Sequence, residues 1–298
     1  MENAELRIQF NAAKDSFINK IIKNKKCLAA FLFGSTSHDL IWEWSDLQIL
    51  LIYEDGFKWP SFSAIEHDIN IEVRVRHKTE FLEHMASAGM MDLDKSTYSK
   101  STPLFIKDSI IQECFDDMFY IGEKDKEAEM IKGFYYAVWC MNKAEKNFYI
   151  KKNLDNTVYF LLQAAEHIAC IEIAKYRQIV ERECIAQAKK LNPELFKMIY
   201  DRMIYEAVTE NIVEEILKRN LEYLKSNTEE VYRPVLDYLQ EHGNLDKFSI
   251  PAVGHRYDLL WLYRMGILER KIEPVKVAGY SEDFYKFKYV LKDGGNIG

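Results

Sequence analysis

The chain has 298 residues, 48% hydrophobic and 13% aromatic, which is enough apolar material to bury two or three cores. A formal net charge of −7 and a pI near 5.6 argue against a general nucleic-acid binder, because phosphate contacts need a positive surface. The five cysteines are odd in number, widely spaced and without a CxxC pair, so reduced buried thiols in a cytoplasmic protein are expected, with neither disulfides nor zinc.

The amino-terminal stretch Met1 to Phe10 is polar and mixed in charge, so no signal peptide is expected. No run of about twenty apolar residues is apparent, so no membrane span is expected either. Glycine and proline are sparse, at 12 and 6, which suits a largely helical protein with a small sheet. Leu6 to Ile22 predicts an amphipathic helix, with Phe10, Phe17 and Ile21 at helical spacing. Strands follow at Leu28–Phe33, Leu47–Tyr53 and Ile69–Val75, with a polar turn at Asp55-Gly56. Thr79 reads as the N-cap of a helix through Met85, and Ser99 to Phe105 as an apolar segment ahead of an acidic turn.

Chemistry concentrates in Phe31-Leu32-Phe33-Gly34-Ser35 and Ser45-Asp46-Leu47-Gln48-Ile49. Glycine permits a sharp turn after a strand, and a helix start beyond it would present free N–H groups to a phosphate. Carboxylates two residues apart on a strand share a face and can hold magnesium, which would bridge the oxygens of a phosphoryl transfer. In Ile69 to Arg76, apolar and polar residues alternate, which places Glu72, Arg74 and Arg76 on one polar face. Glu72 is the natural further metal ligand, and the two arginines could neutralise phosphate charge.

These segments resemble the entry to a polymerase-beta-type nucleotidyltransferase site: an apolar residue, Gly, Gly or Ser, about ten residues, then Asp-apolar-Asp/Glu-apolar. The resemblance implies a nucleoside triphosphate held at Gly34 and Ser35, with Mg2+ at Asp46 and Glu72. This chain departs from the pattern at the second acidic position, which is Gln48, an amide that keeps an oxygen but loses the charge. An active enzyme and a catalytically degenerate nucleotide binder both stay open at this point. A plain strand-turn-strand with solvated Asp46 and Glu72 is the alternative to either.

Gly122 to Glu127 is charged, lacks apolar periodicity and reads as a boundary. Helices are expected at Ile131–Phe148, Asp155–Tyr176, Cys184–Lys189, Pro193–Glu206 and Asn211–Leu224. In antibiotic nucleotidyltransferases, which the first domain resembles, the partner domain supplies an acidic general base. Glu166 is the candidate for that role and His167 the alternative, although a solvated helix position is the simpler reading of Glu166 and a structural role that of His167.

Glu229 to Glu241, Leu245 to Ala252 and Gly254 to Tyr263 predict three further helices, followed by strands Ile267–Lys271 and Phe284–Leu291. The step Met265-Gly266-Ile267-Leu268-Glu269-Arg270-Lys271 resembles the approach to the wing of a winged helix. From Val231 onward, 10 basic residues meet 9 acidic ones, with Arg256, Arg264, Lys286 and Lys288 as candidate phosphate contacts. DNA contact, a homodimer interface and internal packing all stay open as roles for this segment.

The expected fold is α+β, with a nucleotidyltransferase-type α/β domain at 1–121, a helical substrate-binding-like bundle at 122–226 and a winged helix at 227–298. That order resembles bacterial nucleotidyltransferase-like proteins of the YgxA type, with Lys143-Ala144-Glu145-Lys146, Ala164-Ala165-Glu166-His167-Ile168 and Leu191-Asn192-Pro193-Glu194 carrying much of the likeness. The resemblance implies transfer of a nucleoside monophosphate to a small acceptor, or a nucleotide-binding regulator contacting DNA or a protein partner.

Overall fold

The computed structural model describes residues 3–38, 41–87, 97–245, 258–279 and 283–292. Two compact units are present: Met1–Gly122 with Gln178–Arg182, and Glu123–Arg177 with Glu183–Gly298.

The first unit is a five-stranded mixed sheet. Its strands are β1 (Cys27–Phe33), β2 (Leu47–Tyr53), β3 (Phe62–Glu66), β4 (Ile69–His77) and β5 (Thr102–Ile106), in the spatial order β3-β4-β2-β1-β5. Only β2 and β4 run parallel, in the register Leu47 with Ile71 and Gln48 with Glu72. The central strands β1 and β2 are nearly continuous apolar runs because both faces of the sheet are covered. Helix α1 (Asn3–Ile21) places Leu6, Phe10, Ala13 and Phe17 in one core with Leu32, Ile49, Leu51, Ile71 and Val73. On the other face, α2 (Lys78–Ser87) and α3 (Ser109–Asp117) bring Phe81, Met85 and Ile111 against Phe31, Phe33, Leu50 and Ile52.

The start of α2 differs from expectation. Thr79 lies inside the helix, and its backbone N–H and hydroxyl donate to Asp55 at 3.0 and 2.6 Å, so the acceptor comes from the loop after β2. Asp108 caps α3 in the ordinary way, accepting from the N–H groups of Ile110 and Ile111.

In the second unit, α4 (Glu123–Glu145) passes through a π turn, Lys146–Ile150, and packs along α5 (Leu154–Lys175). The second unit begins at Glu123, within the charged stretch expected as a boundary, and that stretch forms the first turn of α4, where Glu123 and Asp125 suit the positive helix end. Gly133 allows the close approach, since a Cβ there would lie 2.9 Å from Ile171 Cγ1 and 3.2 Å from the carbonyl of His167. By length and composition α5 is apolar enough to cross a membrane, but 61% of its apolar window is buried inside this unit, as in a core helix. The five cysteines are free thiols, all buried except half-buried Cys114.

Helices α6 (Cys184–Leu191), α7 (Pro193–Phe196) and α8 (Arg202–Tyr205) follow, with a second π turn between α7 and α8. Then α9 runs unbroken from Glu210 to His242, where two helices were expected. A buried polar cluster ties these elements together. Glu172, 4% exposed, accepts from Lys175 at 2.6 Å, Asn192 at 2.9 Å and the Tyr223 hydroxyl at 2.7 Å.

The carboxyl-terminal part carries α10 (Leu259–Arg264) and an antiparallel hairpin, β6 (Leu268–Lys276) with β7 (Asp283–Leu291). Trp261 anchors α10 by donating its indole N–H to Thr228 at 3.0 Å and packing edge-on against Phe134. Leu245 bridges to Tyr289 instead of opening a helix. Most of the expected helix Leu245–Ala252, and the start of the one at Gly254, lie outside the described residues.

Candidate functional site

The carboxyl end of β1 and the amino ends of β2 and β4 meet on one side of the sheet. Gly34 leaves β1 with φ at +81°, and at the expected helix start the chain makes a single 3-10 turn, Ser35–His38. Ser37 closes that turn by donating its hydroxyl to the Gly34 carbonyl at 2.7 Å. Ser35 is exposed at its start.

Gln48 occupies the centre of the site. It lies opposite Phe33 on β1 and beside Glu72 on β4. Its amide NH2 donates to Asp46 Oδ1 at 3.1 Å, while its Oε1 lies 3.0 Å from where a Cβ on Gly34 would be. The amide nitrogen thus faces Asp46 and its oxygen faces the glycine turn. Glu72 accepts from the Ser63 hydroxyl at 2.9 Å, its partner in the β3–β4 register.

A cavity of about 330 Å³ opens beside these groups, lined by Phe33, Gln48, Ser61, Ser63, Glu72 and Arg74 among others. Arg74 stands 5.0 Å over the Phe33 ring and supplies the cavity's positive charge. Arg76, expected beside it, is instead paired with Glu80 on α2. Ser61 and Ser63 were not anticipated, because β3 itself was not; both belong to the Ser61-Phe62-Ser63 segment that borders β4. The Ser61 hydroxyl accepts the Val75 N–H at 3.1 Å.

The donor set does not suit a paired-metal centre. The group between Asp46 and Glu72 is a neutral amide, and it turns a hydrogen-bond donor toward Asp46, where a cation would need an acceptor. Among the described residues, no three His, Cys, Asp or Glu side chains are grouped to hold a metal.

Glu166 and His167 belong to the second unit, on α5. Glu166 is exposed. His167 stacks on Tyr136 at 5.1 Å, and its Nδ1 is buried with no hydrogen-bond partner among the described residues. Burial, and then the positive charge of Lys132, hold its pKa below the ordinary histidine value, so its ring is neutral at neutral pH.

No family model matches the chain, and no curated protein does. Among solved structures, it is similar to a nucleotidyltransferase-like protein from Exiguobacterium sibiricum 255-15, at 13% identity and a TM-score of 0.64, over 94% of this chain and 98% of that one. At that identity the likeness speaks for the fold: this chain has a nucleotidyltransferase-like fold, with a mixed sheet and a helical remainder.

Proposed function

We propose that this chain is a nucleotidyltransferase-like protein that binds a nucleotide in the cavity of its first unit and has lost, or largely lost, phosphoryl transfer. One observation carries the reading. Gln48 stands where the fold's second carboxylate is expected and spends its amide N–H on the carboxylate that remains, Asp46. Such a site keeps the turn at Gly34 and the cation of Arg74 for an anionic ligand, without the paired anionic oxygens that magnesium favours. A cavity of about 330 Å³ lies at the lower end of the range for small-ligand sites.

Thermal unfolding with each nucleoside triphosphate, with and without Mg2+, tests this. The expected result is a rise in melting temperature that does not require the metal, together with no pyrophosphate release. No shift at millimolar nucleotide would overturn it.

A second reading, Mg2+-dependent transfer of a nucleoside monophosphate to a small acceptor, is favoured by one point. Glu72, a metal-competent carboxylate, lies beside Gln48 in the parallel register, and Gln48 in turn bonds Asp46. In that reading Asp46 and Glu72 hold the metal. Metal-dependent pyrophosphate release, abolished by Asp46→Ala, would establish it and displace the first. Contact with DNA or a protein partner through the carboxyl-terminal helix and hairpin belongs with the regulatory form of the first reading.

A further inference from the structure

The second unit carries an open groove of about 680 Å³ that takes no part in the nucleotide site of the first unit, and one of its walls is the carboxyl-terminal helix α10. Its walls come from the end of α4, the π turn that follows and α10, through Trp139, Lys143, Lys146, Tyr149, Ile150 and Arg264 among others. We propose that this groove binds a single-stranded stretch of nucleic acid, with phosphates on its cations and bases against its exposed rings.

Charge comes first. Lys143, Lys146 and Arg264 line the groove against one carboxylate, that of Glu145. None of the three cations makes an ion pair among the described residues: Lys143 sits 5.3 Å over the Trp139 ring, and Arg264 donates to the neutral Asn142 Oδ1 at 2.9 Å. In a chain of net charge −7, a local surplus of unpaired cations marks a place for an anion.

The rings decide which anion. Trp139 and Tyr149 are 45% and 46% exposed in the same groove, and Ile150 is 75% exposed. Phe160 holds the Trp139 ring edge-on at 5.9 Å, so the indole is positioned before any ligand arrives. Aromatic planes beside phosphate-binding cations suit unpaired bases, whose faces stack without regard to sequence; an acidic peptide would use the cations and leave the rings idle.

The backbone also shapes the wall. The π turn Lys146–Ile150, which closes α4, contributes Lys146, Tyr149 and Ile150 to the wall. Buried Asn147 fixes that turn by donating to the Lys143 carbonyl at 2.8 Å.

The test is fluorescence anisotropy of the full chain with a labelled single-stranded RNA of about twelve nucleotides, at low and rising salt. The wild type should bind, more weakly as salt rises. Lys143→Glu with Lys146→Glu should weaken binding tenfold or more and flatten the salt dependence. Tyr149→Ala, a half-exposed position, should weaken it about tenfold and leave the salt slope unchanged. Circular dichroism establishes that each variant is folded, and the tyrosine variant carries the test if the charge variant is not. Three results would overturn the proposal: no binding to the wild type at about 50 mM salt, equal binding of the matching duplex, or displacement by a poly-glutamate peptide as readily as by unlabelled RNA. The groove variants should keep any nucleotide-induced thermal shift of the first unit, so this proposal and the preceding one fail separately.

Discussion

At Gly34 two demands fall on one residue. Its φ of +81° disfavours any side chain, and a Cβ would also press on Gln48 Oε1 at 3.0 Å. Gly34→Ala should lower stability by about 1–2 kcal/mol, read from urea unfolding. Adding Gln48→Ala should recover only the contact part, because the backbone strain remains. Gln48 makes its own prediction. Gln48→Asp sets a third carboxylate between Asp46 and Glu72, so the variant should melt lower than the wild type without metal. Mg2+ should then restore the loss in the variant and leave the wild type unchanged; equal responses would show that the amide does not govern metal affinity. The sequence reveals which residues share the polar face of β4, because period-two alternation is local. It does not reveal that Gln48 and Glu72 are neighbours, because parallel register depends on two strands about twenty residues apart.

Elements whose burial follows their own periodicity are legible in the sequence, and the rest are not. The strands β1, β2 and β4 read directly because their apolar runs are long or strictly alternating. β3 does not, since an edge strand with half-exposed residues after Trp59-Pro60 carries little apolar signal. The polar run Ser226-Asn227-Thr228 reads as a break between helices, yet Asn227 and Thr228 are buried inside α9. Their side chains donate to the carbonyls of Tyr223 and Leu224, so the helix absorbs polar residues on its core side. Glu172 extends the same economy across elements. Burial alone would raise its pKa, but the hydrogen bonds from Lys175, Asn192 and Tyr223 and the charge of Lys175 outweigh that and hold it below the ordinary glutamate value. Its contribution is therefore present above the unfolded-state pKa near 4.5 and is lost as pH falls below it. Glu172→Leu should destabilise by about 3–5 kcal/mol, since it leaves Lys175, Asn192 and Tyr223 without their acceptor. Tyr223→Phe should cost about 1–2 kcal/mol. His167 acts at higher pH. With its folded pKa lowered, the unfolded chain binds the proton more readily, so stability falls as pH drops from neutrality through the usual histidine value of 6.5. Urea midpoints at about pH 7.5 and 5.5 should show that loss, and His167→Gln should reduce it.

For the whole molecule, two compact units with separate cores predict two steps on heating, provided each core unfolds cooperatively. Calorimetry with a nucleoside triphosphate should move only the step belonging to the first unit. Movement of both steps would place the ligand elsewhere. Overall order along the chain is legible in the sequence: a sheet-bearing first part, helices, then a carboxyl-terminal hairpin.

The return of Gln178–Arg182 to the first unit is invisible in the sequence, because this short segment of the connection between α5 and α6, whose apolar residues are only Ile179 and Val180, does not advertise where it docks. It has a consequence for synthesis. A nascent chain released as far as Gly122 has every strand of the five-stranded sheet but not the last piece of that unit, which leaves the ribosome some sixty residues later. At about 5–20 residues per second that is a delay of roughly 3–12 s, during which α4 and α5 emerge before the first unit is complete.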